Sequence, residues 1–128
     1  MEIAKLVSTW HTCPRAAVGA VLVKDKRVLT TAHNGAPSGE PHCDEIGCLL
    51  EDGHCVRVTH SEQNIISFAA KYGIAIEGST LYCTHSPCKI CFKMLKNAGI
   101  KRIVIQQFYR DFGIKTSCEE SMIDFDVM

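Results

Sequence analysis

The 128-residue sequence has no excess charge of either sign, because 14 basic residues are matched by 14 acidic ones. The absence of a basic surface argues against a nucleic-acid polymer as partner. There is also no apolar run of about 18 residues, which a transmembrane helix requires. The segment MEIAKLVSTWH carries an acid and a base within its apolar pattern, which is typical of an amphipathic helix and not of a signal peptide. We therefore expect a cytoplasmic protein that does not enter a membrane.

Internal repeats, low-complexity tracts and linkers are also missing from the sequence. With 46% hydrophobic residues the chain can form one ordinary core, so we expect a single domain over residues 1–128. The eight cysteines stand out against this background. Disulfide frameworks are rare in reducing compartments, where clustered cysteine and histidine more often bind metal.

Hydrophobic periodicity predicts a regular alternation of helices and strands in the second half of the chain. Its elements are a helix at His60–Lys71, a strand at Ser79–Thr84, a helix at Pro87–Ala98 and a strand at Lys101–Gln106. This order predicts an α/β fold in which parallel strands are joined by crossover helices. The remaining predictions are a first helix through about Trp10, hairpin strands at Val18–Val23 and Arg27–Ala32, and a short last strand at Ile123–Val127.

The stretch from Asn34 to Arg57 is predicted to be irregular. A structureless connection of this length is uncommon in a compact domain unless it is functional or held by a ligand. It contains four residues that bind metals in other proteins, His42, Cys43, Cys48 and Cys55. The sequence therefore suggests that a metal ion holds this loop in place.

Two short motifs, each at the start of a predicted helix, carry the catalytic prediction. They read H-S-E at His60–Glu62 and P-C-K-I-C at Pro87–Cys91. H-x-E followed by P-C-x-x-C is the known signature of zinc deaminases. Zinc held by His60, Cys88 and Cys91 retains one tetrahedral position for a water molecule, whose pKa the metal lowers.

Glu62 is the predicted proton carrier of this site. It lies two residues beyond the histidine ligand, so it can face the water without binding the metal itself. A C-x-x-C pair alone also fits a structural zinc site or a redox pair. The catalytic prediction therefore depends on the combination of both motifs at helix starts.

Longer motifs around these residues resemble the deoxycytidylate (dCMP) deaminase family of the cytidine deaminase superfamily. They read C-P-R-x-x-V-G-A-V at Cys13–Val21, N-G-x-P-S-G at Asn34–Gly39, H-C-D-E-x-G-C at His42–Cys48, G-H-C-x-R-x-x-H-x-E-x-N at Gly53–Asn64 and L-Y-C-T-H-S-P-C-x-x-C at Leu81–Cys91. The resemblance implies a three-layer α/β/α fold with a five-stranded mixed sheet and a catalytic zinc at the N-termini of two helices. It also implies hydrolysis of dCMP to dUMP and ammonia, which supplies dUMP for thymidylate synthesis.

The resemblance also implies how the substrate is held. The backbone N–H of Ser61 is expected to contact the pyrimidine ring, and the carbonyl of Ser86 to contact its amino group. Asn34 is expected to bind the sugar. Tyr109 matches an aromatic position near the substrate. The family commonly has alanine where this chain has Ser61.

A second, structural zinc is implied in the same way. Longer relatives place metal-binding cysteines at the positions of Cys13 and Cys43, and Cys48 and Cys55 would complete the set in this chain. One of three nearby histidines could replace a cysteine: His11, His42 or His54. The alternative is that several of these cysteines are free and buried.

Family members are commonly homo-oligomers, with hexamers favoured, and are regulated by dCTP and dTTP, with Mg²⁺ accompanying the triphosphate. The alternative functions are deamination of free cytidine, of tRNA adenosine, or of a pterin or riboflavin precursor, and a non-catalytic zinc-binding module. Neutral charge disfavours tRNA. Glu62 disfavours the module, because a structural site gains nothing from it. Arg15, Arg57 and Arg110 are candidate phosphate ligands, and His85 is assigned no role.

Overall fold

The computed structural model describes residues 1–110 and 112–128. Within these residues, helices span Glu2–Ser8 (α1), Cys43–Ile46 (α2), Ser61–Tyr72 (α3), Lys89–Asn97 (α4) and Ile114–Glu120 (α5). Strands span Gly19–Lys24 (β1), Arg27–His33 (β2), Leu50–Glu51 (β3), His54–Cys55 (β4), Thr80–His85 (β5), Arg102–Gln107 (β6) and Asp124–Val127 (β7). No helix in the described ranges is both long and apolar enough to cross a bilayer.

The main sheet has five strands among the described residues, in the order β2-β1-β5-β6-β7. β1 pairs antiparallel with β2 and β5, whereas β5–β6 and β6–β7 are parallel. The parallel pairs arise because α4 and α5 return the chain to the same end of the sheet before each new strand. The predicted five-stranded mixed sheet is confirmed.

The β1–β2 hairpin turns through two residues, Asp25 and Lys26. Lys24 pairs with Arg27, and the two turn residues have φ of 50° and 61°. Positive φ at both positions is typical of a type I′ turn, whose twist matches that of paired strands. The predicted hairpin therefore forms although its turn lacks the glycine that favours this conformation.

Helices cover both faces of the sheet. One face packs into the main core with side chains from α3, α4 and α5, which include Ile65, Leu95 and Ile114. On the other face α1 lies against β1. A Cβ atom on Gly19 would lie 2.0 Å from the carbonyl oxygen of Ala4, so only glycine permits this approach. Neighbouring residues of a strand face opposite sides of the sheet, so Gly19 faces away from the main core. α1 therefore forms the third layer of the predicted α/β/α arrangement.

Four segments differ from their sequence predictions. α1 ends at Ser8, before Trp10, and α4 begins at Lys89, so that Pro87 lies just outside it. The stretch predicted to be irregular contains α2 and the small β3–β4 hairpin. α5 was missed because it buries only Ile114 and Cys118, too few residues to produce a helical pattern.

Candidate active site

The two helix starts bring His60 and Cys88 together. His60 is the residue that precedes the first turn of α3, and Cys88 has the same place in α4. The Cys88 Sγ atom accepts a hydrogen bond from the backbone N–H of Cys91, 3.5 Å away. The Nδ1 atom of His60 lies 3.7 Å from the Cys88 sulfur and 3.4 Å from the Cys91 sulfur. The three predicted ligands therefore converge on one point.

These separations suit zinc. Zinc–sulfur bonds of about 2.3 Å and zinc–nitrogen bonds of about 2.0–2.1 Å place sulfur and nitrogen ligands about 3.5 Å apart in a tetrahedron. All three ligand atoms lie within 4.8 Å of one another. A set of one nitrogen and two sulfurs is also a ligand combination found in catalytic zinc sites.

The electrostatics of the cluster favour a cation. The hydrogen bond with Cys91 and then that with His60 lower the pKa of Cys88 to about 3, so this sulfur is a thiolate at neutral pH. The hydrogen bond between His60 and Cys88 raises the pKa of His60. The hydrogen bond with Cys88 also raises the pKa of Cys91. The N-terminal ends of two helices add positive potential that stabilises thiolates.

Glu62 lies beside the cluster and is almost fully enclosed, with 4% of its surface exposed. Burial raises the pKa of this carboxyl group, which is the expected direction for a group that must both take up and release a proton. The Ser61 hydroxyl donates a hydrogen bond of 2.9 Å to Oε2 of Glu62. The residue that replaces the family's common alanine therefore contacts the predicted proton carrier.

A single cavity connects most of the predicted site residues. Its lining comes from the cluster, from the segment before β1, from the residue after β2, from the β3–β4 hairpin and from the end of β5: Cys13, Arg15, Ala16, Val18, Asn34, Gly53, His54, Cys55, Val58, His60, Ser61, Glu62, His85, Ser86, Cys88 and Tyr109. All four predicted substrate contacts therefore face one space with Glu62. Arg57 is not part of this lining, and its Nε donates to the carbonyl of Gly47 instead.

Asn34 and Ser86 have structural partners within this wall. The Asn34 side chain accepts from the backbone N–H of Val18 and donates to the carbonyl of Ala16, both at 2.9 Å. One amide hydrogen and one lone pair remain for a ligand. The Ser86 hydroxyl accepts from the backbone N–H of Tyr109 at 2.7 Å, which fixes Tyr109 over the cavity.

His85 is a cavity residue that sequence reasoning did not assign. Its ring packs edge-on against Tyr109, with 6.5 Å between ring centroids, and burial lowers its pKa. A neutral imidazole in this position orients the tyrosine ring. Its position three residues before Cys88 was the available signal, since the end of β5 leads directly into the metal-binding turn.

The second thiol cluster also forms. The sulfur of Cys13 lies 3.6 Å from that of Cys48, and the sulfur of Cys43 lies 3.5 Å from that of Cys55. All four sulfurs lie within 4.8 Å of one another, close to the separation of about 3.8 Å in a tetrahedral zinc site with four sulfur ligands. Of the three alternative histidines, none belongs to this group of ligand atoms among the described residues.

Comparison with known proteins agrees with this geometry. Residues 1–107 match the cytidine and deoxycytidylate deaminase zinc-binding region. The chain is 40% identical over 110 residues to ComE operon protein 2 of Bacillus subtilis, covering 86% of this chain and 58% of that protein. It is 34% identical over 147 residues to the deoxycytidylate deaminase of Enterobacteria phage T2, covering 85% and 78% of the two chains.

A solved structure shows the same fold over nearly the whole chain. It is the dCMP deaminase of cyanophage S-TIM5 in complex with dCMP and dUMP, with a TM-score of 0.88 and 36% identity. The alignment covers 99% of this chain and 92% of that one. The chain belongs to the cytidine and deoxycytidylate deaminase family, as the motifs predicted. It spans a little over half the length of the B. subtilis relative.

Proposed function

We propose that this protein is a zinc-dependent dCMP deaminase that converts dCMP and water to dUMP and ammonia, and so supplies dUMP for thymidylate synthesis. The observation that carries the proposal is the enclosed Glu62 carboxyl group, which faces one cavity together with two members of a three-residue cluster that could hold a metal ion. A structural zinc site does not need such a carboxylate. The complex of the cyanophage relative with dCMP and dUMP supports the choice of nucleotide.

The reaction replaces the amino group at C4 of cytosine by oxygen. When bound, zinc lowers the pKa of a water molecule and thereby provides a nucleophile near neutral pH. Glu62 would take a proton from the attacking water and deliver protons to the ring nitrogen N3 and to the departing amine. The C4–N bond breaks as the C4 carbonyl forms. Burial of Glu62 suits this role because a raised pKa makes its carboxylate a stronger base toward water. It also shifts the pKa toward neutral pH, where the group can both take up and release a proton.

The base is recognised by the start of α3 and the end of β5. The Ser61 N–H lies in the first turn of α3, where backbone N–H groups have no acceptor within the helix, so it can donate to the pyrimidine. The Ser86 carbonyl accepts from the amino group. Tyr109 covers the ring and Asn34 binds the sugar with the free hydrogen-bonding positions of its amide.

The phosphate is bound at the mouth of the cavity by Arg15, His54 and Arg110. Arg15 and His54 belong to the cavity lining, and the Arg110 guanidinium contacts the His54 ring. Arg110 also lies over the Tyr109 ring, 5.6 Å from its centroid. A phosphate here would receive charge-assisted hydrogen bonds from two guanidinium groups.

The four-cysteine cluster holds a second, structural zinc in this proposal. A closed set of four sulfurs leaves no position for water, which is the arrangement that structural zinc prefers. Cys13 and Cys43 are buried, with 2% and 4% exposed, so this site anchors the loop to the body of the protein.

We further propose that the protein acts in the cytoplasm as a homo-oligomer, most simply a hexamer, and that dCTP with Mg²⁺ and dTTP regulate it. An apolar stripe on α1 and the turn that follows it supports assembly, because Ile3 and Leu6 of the helix and Trp10 of the turn are 46%, 62% and 60% exposed. Large exposed side chains at helical spacing usually pack against a partner.

Ammonia release from a panel of dCMP, CMP, deoxycytidine and cytidine tests the proposal. We expect kcat/KM for dCMP to exceed that for deoxycytidine by roughly 10²–10⁴-fold, since two charge-assisted hydrogen bonds contribute about 1.5–3 kcal/mol each. Comparable values for the two substrates would overturn the nucleotide assignment. No ammonia from any substrate, in protein that contains zinc, would favour a non-catalytic module.

A further inference from the structure

The β3–β4 hairpin forms one wall of the substrate cavity. Its turn residue Gly53 and both residues of β4, His54 and Cys55, belong to the cavity lining. The same wall includes Arg15, whose Nη2 donates a hydrogen bond of 3.0 Å to the carbonyl of Gly53. The hairpin is therefore in contact with the proposed phosphate-binding groups.

This hairpin has almost no core of its own. Its strand pairs are Leu50–Cys55 and Glu51–His54, and one more backbone hydrogen bond, of 2.8 Å, runs from the Val56 N–H to the Leu49 carbonyl. The neighbouring apolar side chains point largely to solvent, with Leu49, Leu50 and Val56 49%, 52% and 45% exposed. An isolated two-stranded hairpin is marginally stable at best in water, so this one needs an external anchor.

The four-cysteine cluster supplies that anchor. Cys48 precedes the hairpin and Cys55 ends it, and each sulfur is close to a buried cysteine of the body: Cys48 to Cys13 and Cys55 to Cys43. A zinc ion bound by the four sulfurs would join both ends of the hairpin to the body at a single point.

Two of the proposed zinc ligands are close in sequence to residues of this wall that are proposed to bind the phosphate. Cys13 is two residues from Arg15, and Cys55 directly follows His54. The catalytic ligands lie elsewhere, at the starts of α3 and α4, which pack into the main core through Ile65 and Leu95. Loss of the four-cysteine site should therefore disturb the mouth of the cavity more than its catalytic end.

We propose that the four-cysteine site is a specificity-determining clamp, which holds the hairpin and Arg15 in the arrangement that recognises the 5′-phosphate of the nucleotide. This inference rests on the proposed function. Cys48 is a positioning residue in it, since it is a ligand but is not part of the cavity lining. Removing this ligand should reduce the preference for dCMP over deoxycytidine and leave base chemistry nearly intact.

The test compares Cys48→Ser with the control Leu49→Ser, a neighbouring exposed position outside the ligand set. Three quantities are measured: zinc per chain, hydrogen exchange of residues 49–56, and kcat/KM for dCMP and deoxycytidine. In Cys48→Ser we expect loss of one zinc per chain, faster exchange in 49–56, and a fall of about 10-fold or more in kcat/KM for dCMP through KM, from the loss of one charge-assisted contact. Deoxycytidine turnover should change by less than about twofold, which corresponds to under half a kcal/mol.

Equal losses with both substrates, or an unchanged preference for dCMP after the zinc is lost, would overturn the clamp. Unaltered exchange of residues 49–56 would overturn it as well. A wild-type protein without preference for dCMP overturns the proposed function instead, and its exchange data still show whether zinc holds the hairpin. The two failures are therefore distinguishable.

A second variant covers the case in which Cys48→Ser does not fold. Cys48→Asp replaces the sulfur ligand by a carboxylate oxygen, which zinc also accepts, so occupancy of the site should depend on added Zn²⁺. As zinc is titrated into this variant, protection of residues 49–56 and the preference for dCMP should rise together. A preference that does not follow occupancy contradicts the proposal.

Discussion

The two clusters of candidate metal ligands are of similar size, but the surrounding structure supports them in different ways. The catalytic cluster stands at the starts of two helices, and its ligands are fixed by helical backbone and by the main core. The four-cysteine cluster joins loops, a four-residue helix and a hairpin with exposed side chains. In the first case the fold positions the metal ligands. In the second, the proposed metal and its four ligands would position the chain.

This comparison explains why a small domain carries both. A catalytic site requires ligands and acid–base groups held on rigid elements. The wall proposed to recognise the rest of the substrate is built from loops, which have no core to order them. A metal site is a compact way to order such a segment, because it replaces many side-chain contacts by four strong bonds.

The largest expected effect tests the catalytic region alone. We expect Glu62→Gln to lower kcat on dCMP by about 10²–10⁴-fold, because an amide cannot carry a proton between water and substrate. Both zinc ions and the thermal stability of the fold should remain. The matched control is Glu120→Gln, an exposed position on α5. Substantial turnover by fully metallated Glu62→Gln protein would refute the role of this residue.

A smaller effect is expected where the two regions meet. Asn34→Ala removes the partners of the Val18 N–H and the Ala16 carbonyl, so the free energy of unfolding should fall by about 1–3 kcal/mol. If the amide also binds the sugar, kcat/KM for dCMP falls by about 10-fold with zinc content unchanged. Denaturant unfolding and steady-state kinetics measure the two effects, with the exposed Asn97→Ala as control. A loss of stability with unaltered kcat/KM would remove Asn34 from substrate binding.

The smallest effect concerns the orientation of Glu62. Ser61→Ala removes the 2.9 Å hydrogen bond to Oε2, and we expect kcat to fall by about 3–10-fold, which corresponds to one ordinary hydrogen bond. KM and zinc content should stay as in the wild type, since the backbone N–H of residue 61 is retained. Ser121→Ala, on a residue outside the cavity lining, is the control. An unchanged kcat would show that packing alone orients the carboxylate.

Much of the fold could be predicted because its elements have strong local patterns. α3, β5, α4 and β6 were found close to their observed limits, since each has enough buried side chains to produce a clear period. The β3–β4 hairpin was not predicted, because pairs of two residues with exposed side chains leave no alternation to detect. The same reason applies to α5, which buries two residues.

The sequence by itself determined the family and predicted which side chains converge at the two helix starts, because H-x-E and P-C-x-x-C at helix starts constrain both residue type and geometry over short distances. The rest depended on tertiary structure. Arg15, His54 and His85 come from separate segments, and no spacing along the chain indicates that they border one cavity. The contact between Ser61 and Glu62, and the convergence of the four cysteines beside a wall of that cavity, arise only when the sheet and its loops bring these residues together.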